Sequence, residues 1–318
     1  MNLARKPTFI QNGFRKNGKF NRGSRLVLGT SGLGGVWGEV DEQESIDALL
    51  YALEQGIDVI DTSPSYNNAQ AYVGKALRKW DGIHPFISTK IGRLPAEKAD
   101  EVYLEYSPGG MKKSMEESLN LLGVDYIDLL FLHEPHLVPL KKIDSILNTL
   151  ESFKQEGIVG MLGIGGNPEG EFWDYVDSNY FDVVSTFLKM DASTLEGFAH
   201  DIPTFIDEGL AIYAASSLHM GLLGSRFQEF VDDPPDTEWI RQDHIDNAIM
   251  VNEVAQKNGM SLTELALRYL FSIKEADRVV LGPTNLEELK KSINNWQEGP
   301  LNKQVFEEVT EVLLKSID

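Results

Sequence analysis

Four ionisable side chains stand at or just past the ends of short apolar runs. Asp61 closes "GIDVIDT", with Tyr66 five residues beyond it, Lys90 closes "PFISTK", and His133 closes "YIDLLFLH". Brought together, an acid, a phenol, an ammonium and an imidazole form a proton-transfer site. A lysine beside a phenol favours the phenolate and is expected to lower the tyrosine pKa, while a carboxylate keeps the lysine charged and oriented. Tyr66 is then expected to shuttle a proton near neutral pH, with His133 holding the substrate oxygen. Taken singly, a strand-ending Asp is an ordinary loop cap and a Tyr after Pro-Ser an ordinary rim residue. Four such residues at the same end of neighbouring runs favour catalysis.

The elements that must position them recur along the chain. Eight β-branched, apolar runs ("RLVLGT", "GIDVIDT", "PFISTK", "YIDLLFLH", "IVGMLGIG", "FDVVSTF", "LAIYAASS" and "RVVLGP") alternate with helical patterns. In "DEQESIDALLYALEQG", Ile46, Leu49, Leu50 and Leu53 follow the i, i+3, i+4, i+7 spacing of one helix face and Gly56 ends it. Nearly continuous apolar strands between helices indicate a parallel, covered sheet. Eight βα units in 318 residues predict an α/β fold of the (β/α)8 TIM-barrel type, with its active site at the C-terminal ends of the strands. An open dinucleotide-binding sheet is the competing architecture, since "GTSGLGG" is glycine-rich, but its spacing is not G-x-G-x-x-G.

Three segments fall outside the alternation. Residues 1–25 carry Asn17-Gly18 between aromatics, which predicts an N-terminal β-hairpin cap. Residues 218–243 form a long connection, expected as a loop over the active site. "LNKQVFEEVTEVLLKSID" reads as an extra C-terminal helix. No low-complexity linker divides the chain, so residues 1–318 are expected to be a single domain.

Charge and composition narrow the partners. The net charge is −20, and beyond the basic first 25 residues 22 basic residues face 49 acidic ones. Such a surface repels polyphosphate and anionic lipid, which argues against nucleic acid or membrane as partner and for a small molecule. There is no cysteine, no run of the roughly 18–20 apolar residues a membrane helix needs, and no apolar signal core at the N-terminus. A cytoplasmic location is expected. Nothing in the sequence sets an oligomeric state.

"DTSPSY", "STKIGR", "SMEESLNLLGVDYIDLLFLHEPH" and "VVLGPTNLEELKKSI" resemble the aldo-keto reductases from about Leu26 to Trp296, closest to members that oxidise L-fucose, D-arabinose or galactose at C1. The family's tetrad maps onto Asp61, Tyr66, Lys90 and His133. The resemblance implies hydride transfer between NAD or NADP and a sugar or aldehyde carbon, without a metal, and most simply the oxidation of an aldose to a lactone. Alternatives are an NADPH-dependent carbonyl reductase, pyridoxal-type substrates included, and a nucleotide-binding regulatory barrel without turnover. Cofactor contacts carried over are Thr30, Asp61, Asn167, Ser216, Ser217, Leu218, Gly282 and Glu288. Glu288 stands where NADP-preferring relatives carry Arg, so NAD is favoured over NADP.

Three further residues are placed at the mouth. Trp37 is expected to wall the substrate pocket or pack beside it. His219, in the long connection, is expected at the rim. His133 and His136 are three residues apart in "HEPH", but Pro135 after a strand end does not aim both rings at one ion, and no ligand set is completed.

Overall fold

The computed structural model describes residues 4–10, 20, 22–95 and 102–315. Eight parallel strands close into a barrel: β1 (Leu26–Gly29), β2 (Val59–Asp61), β3 (Phe86–Ile91), β4 (Ile127–His133), β5 (Val159–Gly165), β6 (Val183–Phe187), β7 (Ala211–Ala215) and β8 (Arg278–Leu281). They pair in sequence order, and β8 returns to β1 through the register Leu26–Val279. All eight apolar runs are therefore strands of one barrel. Every residue of β3 and β4 is buried, as a strand covered on both faces requires.

The helices follow the apolar stripes. In α1 (Glu42–Glu54), Asp41 caps the start by accepting from the Glu44 N–H, and Ile46, Leu49 and Leu53 are buried against the barrel. Each such side chain contributes about 1.5–3 kcal/mol by leaving water. Leu50 is only partly buried, at the edge of that stripe. Then come α2 (Ala69–Lys79), α3 (Pro108–Leu122) and α4 (Ile143–Gln155). The expected α-helix after β5 is replaced by a six-residue 3-10 helix, Gly170–Tyr175, which begins at a left-handed Gly170 (φ +51°). After β6 come a 3-10 turn, Glu196–Ala199, and the short α5 (Asp201–Asp207).

The long connection is not structureless. It contains a 3-10 turn, His219–Gly221, and a helix, α6 (Phe227–Asp232), before α7 (Gln242–Lys257) and α8 (Leu262–Ser272). The chain ends with α9 (Leu286–Gln297) and the expected extra helix, α10 (Lys303–Lys315). Among the described residues no helix is long and apolar enough to cross a membrane. The Asn17-Gly18 hairpin expectation lies outside the described residues.

Two cores divide the interior. A large one lies between barrel and helices; a second, with Val27, Val59, Phe86, Leu129, Phe131, Val183, Ala211, Tyr213 and Val280, fills the barrel. Its floor is the buried Arg278 guanidinium, 4.0 Å from the Phe20 ring centroid, 4.4 Å from that of Phe86, and donating to the Tyr213 hydroxyl at 2.6 Å. The glycines of "GTSGLGG" serve packing. A Cβ on Gly32 would lie 2.4 Å from the Pro283 carbonyl oxygen, and one on Gly34 2.2 Å from that of Tyr66. They bring the β1 loop against the backbone of Tyr66 and of the loop after β8.

Candidate active site

The barrel gathers the four predicted residues at one mouth. Asp61 is the last residue of β2, Lys90 lies near the end of β3, and His133 is the last residue of β4; all three are buried. The Lys90 Nζ donates to Asp61 Oδ2 at 2.5 Å and to the Thr62 carbonyl at 3.0 Å, and it sits 4.8 Å from the Tyr66 ring centroid. The other Asp61 oxygen accepts from the Ser88 hydroxyl at 2.7 Å. The Tyr66 and His133 rings meet edge to face, with centroids 6.3 Å apart.

Burial changes the expected electrostatics of this cluster. It pushes the Tyr66 hydroxyl up, and the nearby Lys90 ammonium only partly offsets that, so the phenol is held above its ordinary value rather than below it. The sequence expectation counted the charge and not the desolvation. Burial pulls Lys90 down, but Asp61 and Tyr66 outweigh it and leave the ammonium more firmly protonated than usual. His133 lies well below its ordinary value, first through burial and then through the Lys90 and Arg93 charges, and is neutral. Its Nδ1 is buried without a hydrogen-bond partner, while its Nε2 lies beside Glu134, 3.8 Å from Oε1. The cluster is a protonated phenol and a neutral imidazole, backed by an ion pair. Such a pair of groups can deliver a proton to an oxygen that both of them touch.

The expected cofactor residues are distributed around the same mouth. Thr30, buried after β1, donates its hydroxyl to the Asp61 carbonyl at 3.0 Å. Asn167, after β5, has its side chain tied to β6: Oδ1 accepts from Thr186 Oγ1 at 2.7 Å and from the Phe187 N–H at 3.2 Å, and Nδ2 donates to the Phe187 carbonyl at 3.0 Å. One of its amide hydrogens is left for a ligand. Ser216, Ser217 and Leu218 follow β7, with Ser216 left-handed at φ +58°. Gly282 follows β8, and a Cβ placed on it would meet nothing within 4 Å. Glu288 lies in the first turn of α9, where its Oε2 accepts from the N–H and hydroxyl of Thr284, both at 2.9 Å. Open space at Gly282 beside small hydroxyl side chains fits a nicotinamide dinucleotide. Trp37 is exposed in the β1–α1 connection, not packed.

His219 is not at the rim. It is fully buried, and its Nδ1 lies 2.7 Å from Asp191 Oδ2 while its Nε2 lies 3.0 Å from the Trp239 carbonyl oxygen and 2.9 Å from His244 Nδ1. The sequence expectation treated the connection as a surface loop, whereas the 3-10 turn folds His219 inward onto the loop after β6. Sequence reading also left out Arg93 and Glu134, whose side chains pair at 2.6 Å beside His133. The signals were present: Arg93 ends the quoted "STKIGR", and Glu134 directly follows the strand-ending His133. Among the described residues no group of three His, Cys, Asp or Glu side chains is arranged to hold a metal ion.

A closed eight-stranded barrel with an Asp–Lys–Tyr–His cluster at its C-terminal mouth defines a class of oxidoreductase. The chain belongs to the aldo/keto reductase family, whose model matches residues 25–314. It is 31% identical to D-arabinose 1-dehydrogenase of Saccharomyces cerevisiae over 86% of this chain and 83% of that one. It is 26% identical to the NADH-specific methylglyoxal reductase of Escherichia coli over 85% of this chain and 89% of that protein. In fold it matches a glycerol dehydrogenase from Gluconobacter oxydans with a TM-score of 0.75 at 21% identity, over 94% of each chain. The protein is thus an oxidoreductase of a family that uses nicotinamide cofactors.

Proposed function

We propose that the protein oxidises an aldose at C1 to a lactone, with NAD as the favoured cofactor. The observation that carries the reading is the tetrad: Lys90 within 2.5 Å of Asp61 and 4.8 Å of the Tyr66 ring, with His133 on the adjacent strand. The sugar substrate class is supported by likeness to D-arabinose 1-dehydrogenase and to L-galactose dehydrogenase of Arabidopsis thaliana. When bound, the nicotinamide supplies the hydride acceptor for C1. The protein supplies position and a proton route. Tyr66 takes the C1 hydroxyl proton in oxidation and returns it in reduction, Lys90 sets the charge beside it, and neutral His133 fixes the oxygen. Thr30, Asn167, Ser216, Ser217, Leu218 and Gly282 are assigned to holding the cofactor, and Trp37 to walling the substrate. The reading places the protein in the cytoplasm.

A carbonyl-reducing direction is the second reading, and the raised Tyr66 pKa is what favours it, because a phenol held protonated is ready to act as an acid. Steady-state rates with NAD or NADP plus a panel of aldoses, set against NADH or NADPH plus aldehydes, separate the two. An absence of aldose oxidation with either cofactor sinks the first.

Cofactor choice gives a mutational test. Glu288 carries its negative charge in the first turn of α9, where it opposes a ribose 2′-phosphate. Glu288→Arg exchanges repulsion for a guanidinium and is expected to shift the NADP/NAD ratio of kcat/KM by about 10- to 100-fold toward NADP, the range of one charge-assisted hydrogen bond. An unchanged ratio would move the adenosine end of the site elsewhere.

A further inference from the structure

The residue after His133 is built into the mouth at a conformational cost. Glu134 has φ +55° and ψ +66°, a left-handed backbone that a residue with a Cβ seldom adopts. It is clamped there: its N–H donates to the Gly165 carbonyl at 3.0 Å, its own carbonyl accepts from the Leu137 N–H at 2.9 Å, and the Tyr106 hydroxyl donates to the His133 carbonyl at 2.7 Å. Tyr106 reaches this position because Gly92 has no side chain; a Cβ there would lie 2.1 Å from the tyrosine ring. The clamp aims the Glu134 carboxylate at the catalytic imidazole. Oε1 lies 2.6 Å from Arg93 Nη1 and 3.8 Å from His133 Nε2, and Oε2 lies 3.8 Å from His136 Nδ1. The side chain is 13% exposed, enough for a bound molecule to touch.

An ionised carboxylate only accepts hydrogen bonds. Arg93 takes one lone pair of Oε1, which leaves acceptor capacity on the carboxylate beside His133. With a reacting oxygen on His133, the carboxylate 3.8 Å from Nε2 is within reach of a substituent on the neighbouring carbon. A hydroxyl on that carbon donates into the carboxylate. A carbonyl oxygen there would be repelled, and a bare methylene would leave the remaining acceptor positions without a donor.

We propose that Glu134, held by Arg93, is a specificity-determining residue that accepts a hydrogen bond from the hydroxyl on the carbon next to the reacting one, selecting 2-hydroxy substrates over 2-deoxy and 2-oxo analogues. This rests on the oxidoreductase reading of the tetrad and deepens its substrate class.

The test compares kcat/KM for substrates that differ only at C2: D-arabinose and D-ribose against 2-deoxy-D-ribose in oxidation, and lactaldehyde against propanal and methylglyoxal in reduction. The wild type is expected to prefer the 2-hydroxy member by about 10- to 100-fold, the range of a hydrogen bond to a charged group. Glu134→Gly suits the left-handed backbone and removes the carboxylate without adding strain. It should abolish the preference by lowering the 2-hydroxy substrates by about 10-fold or more relative to propanal. Glu134→Gln, which adds a donor, should relax rejection of methylglyoxal. No wild-type preference at C2, or an equal loss for all substrates in Glu134→Gly, overturns the proposal. Turnover of lactaldehyde with a Glu134-dependent gap, but of no aldose, keeps this inference and removes the sugar reading. Aldose turnover indifferent to C2 does the reverse.

Discussion

Tyr66→Phe is expected to lower kcat by about 100- to 10,000-fold while leaving cofactor affinity nearly unchanged, because it removes the hydroxyl to which the proposed function assigns the proton exchange. The ring itself stays. Its edge-to-face contact with His133 and its place beside the Lys90 ammonium are properties of the aromatic face, which phenylalanine keeps. Steady-state kinetics in both directions, with a fluorescence titration of NADH, check the split between kcat and affinity. Retention of more than about a tenth of the activity would mean that another group moves the proton. The wild-type pH dependence follows from the same group. Burial holds the phenol protonated, so oxidation, which needs the phenolate as base, rises with pH into the alkaline range. Reduction uses the acid form and falls over that range.

The convergence of Asp61, Lys90 and His133 was legible in the sequence because each lies at or near the end of a strand, with Tyr66 in the turn five residues past Asp61. In a parallel barrel all C-terminal ends face one way, so strand-ending residues separated by 30 or 40 positions must converge. The register confirms this: Asp61 of β2 pairs with Ser88 of β3, whose hydroxyl bonds the Asp61 carboxylate, and Lys90 pairs with Phe131 two residues before His133. The Tyr66 pKa direction was not legible. It depends on how completely the hydroxyl is desolvated, which motif spacing does not encode. The position of His219 was lost for a related reason: its partners Asp191, in the loop after β6, and His244, in the first turn of α7, lie 28 and 25 residues away, where no strand period dictates who meets whom. Glu134 was passed over because its neighbour His133 matched a motif and it did not; its backbone angle marks it out.

The Asp191–His219 pair carries the second large effect, on stability. Asp191 is fully buried, and its Oδ1 accepts from the Ser193 hydroxyl and N–H, both at 2.7 Å, and from the Thr194 N–H at 3.2 Å, while Oδ2 faces His219. Both His219 nitrogens face groups that accept, a carboxylate and the Trp239 carbonyl, so both carry hydrogen and the ring is an imidazolium. Burial pulls that imidazolium down, but Asp191 more than offsets it and raises His219 above 6.5; burial raises Asp191 too, yet His219 and the turn donors bring it below 3.8. His244, beside this cation, is driven down to about 4 by burial and by the His219 charge, and so accepts as a neutral ring. The pair pins a strained segment, since Ser216, His219 and Met220 all have positive φ, and this segment carries the residues assigned to the cofactor. Asp191→Ala strands the imidazolium and three turn donors, and is expected to cost about 3–5 kcal/mol in urea unfolding. The sign with pH is specific. The raised His219 contributes fully below its unfolded value of 6.5 and loses its contribution as pH rises through the folded value; the lowered Asp191 loses its own only as pH falls below 3.8. The difference between wild type and variant should therefore be greatest near pH 5–6 and shrink as pH rises through the folded His219 value. A difference that grows with pH would mean that His219 is neutral and that the loop is held by packing alone.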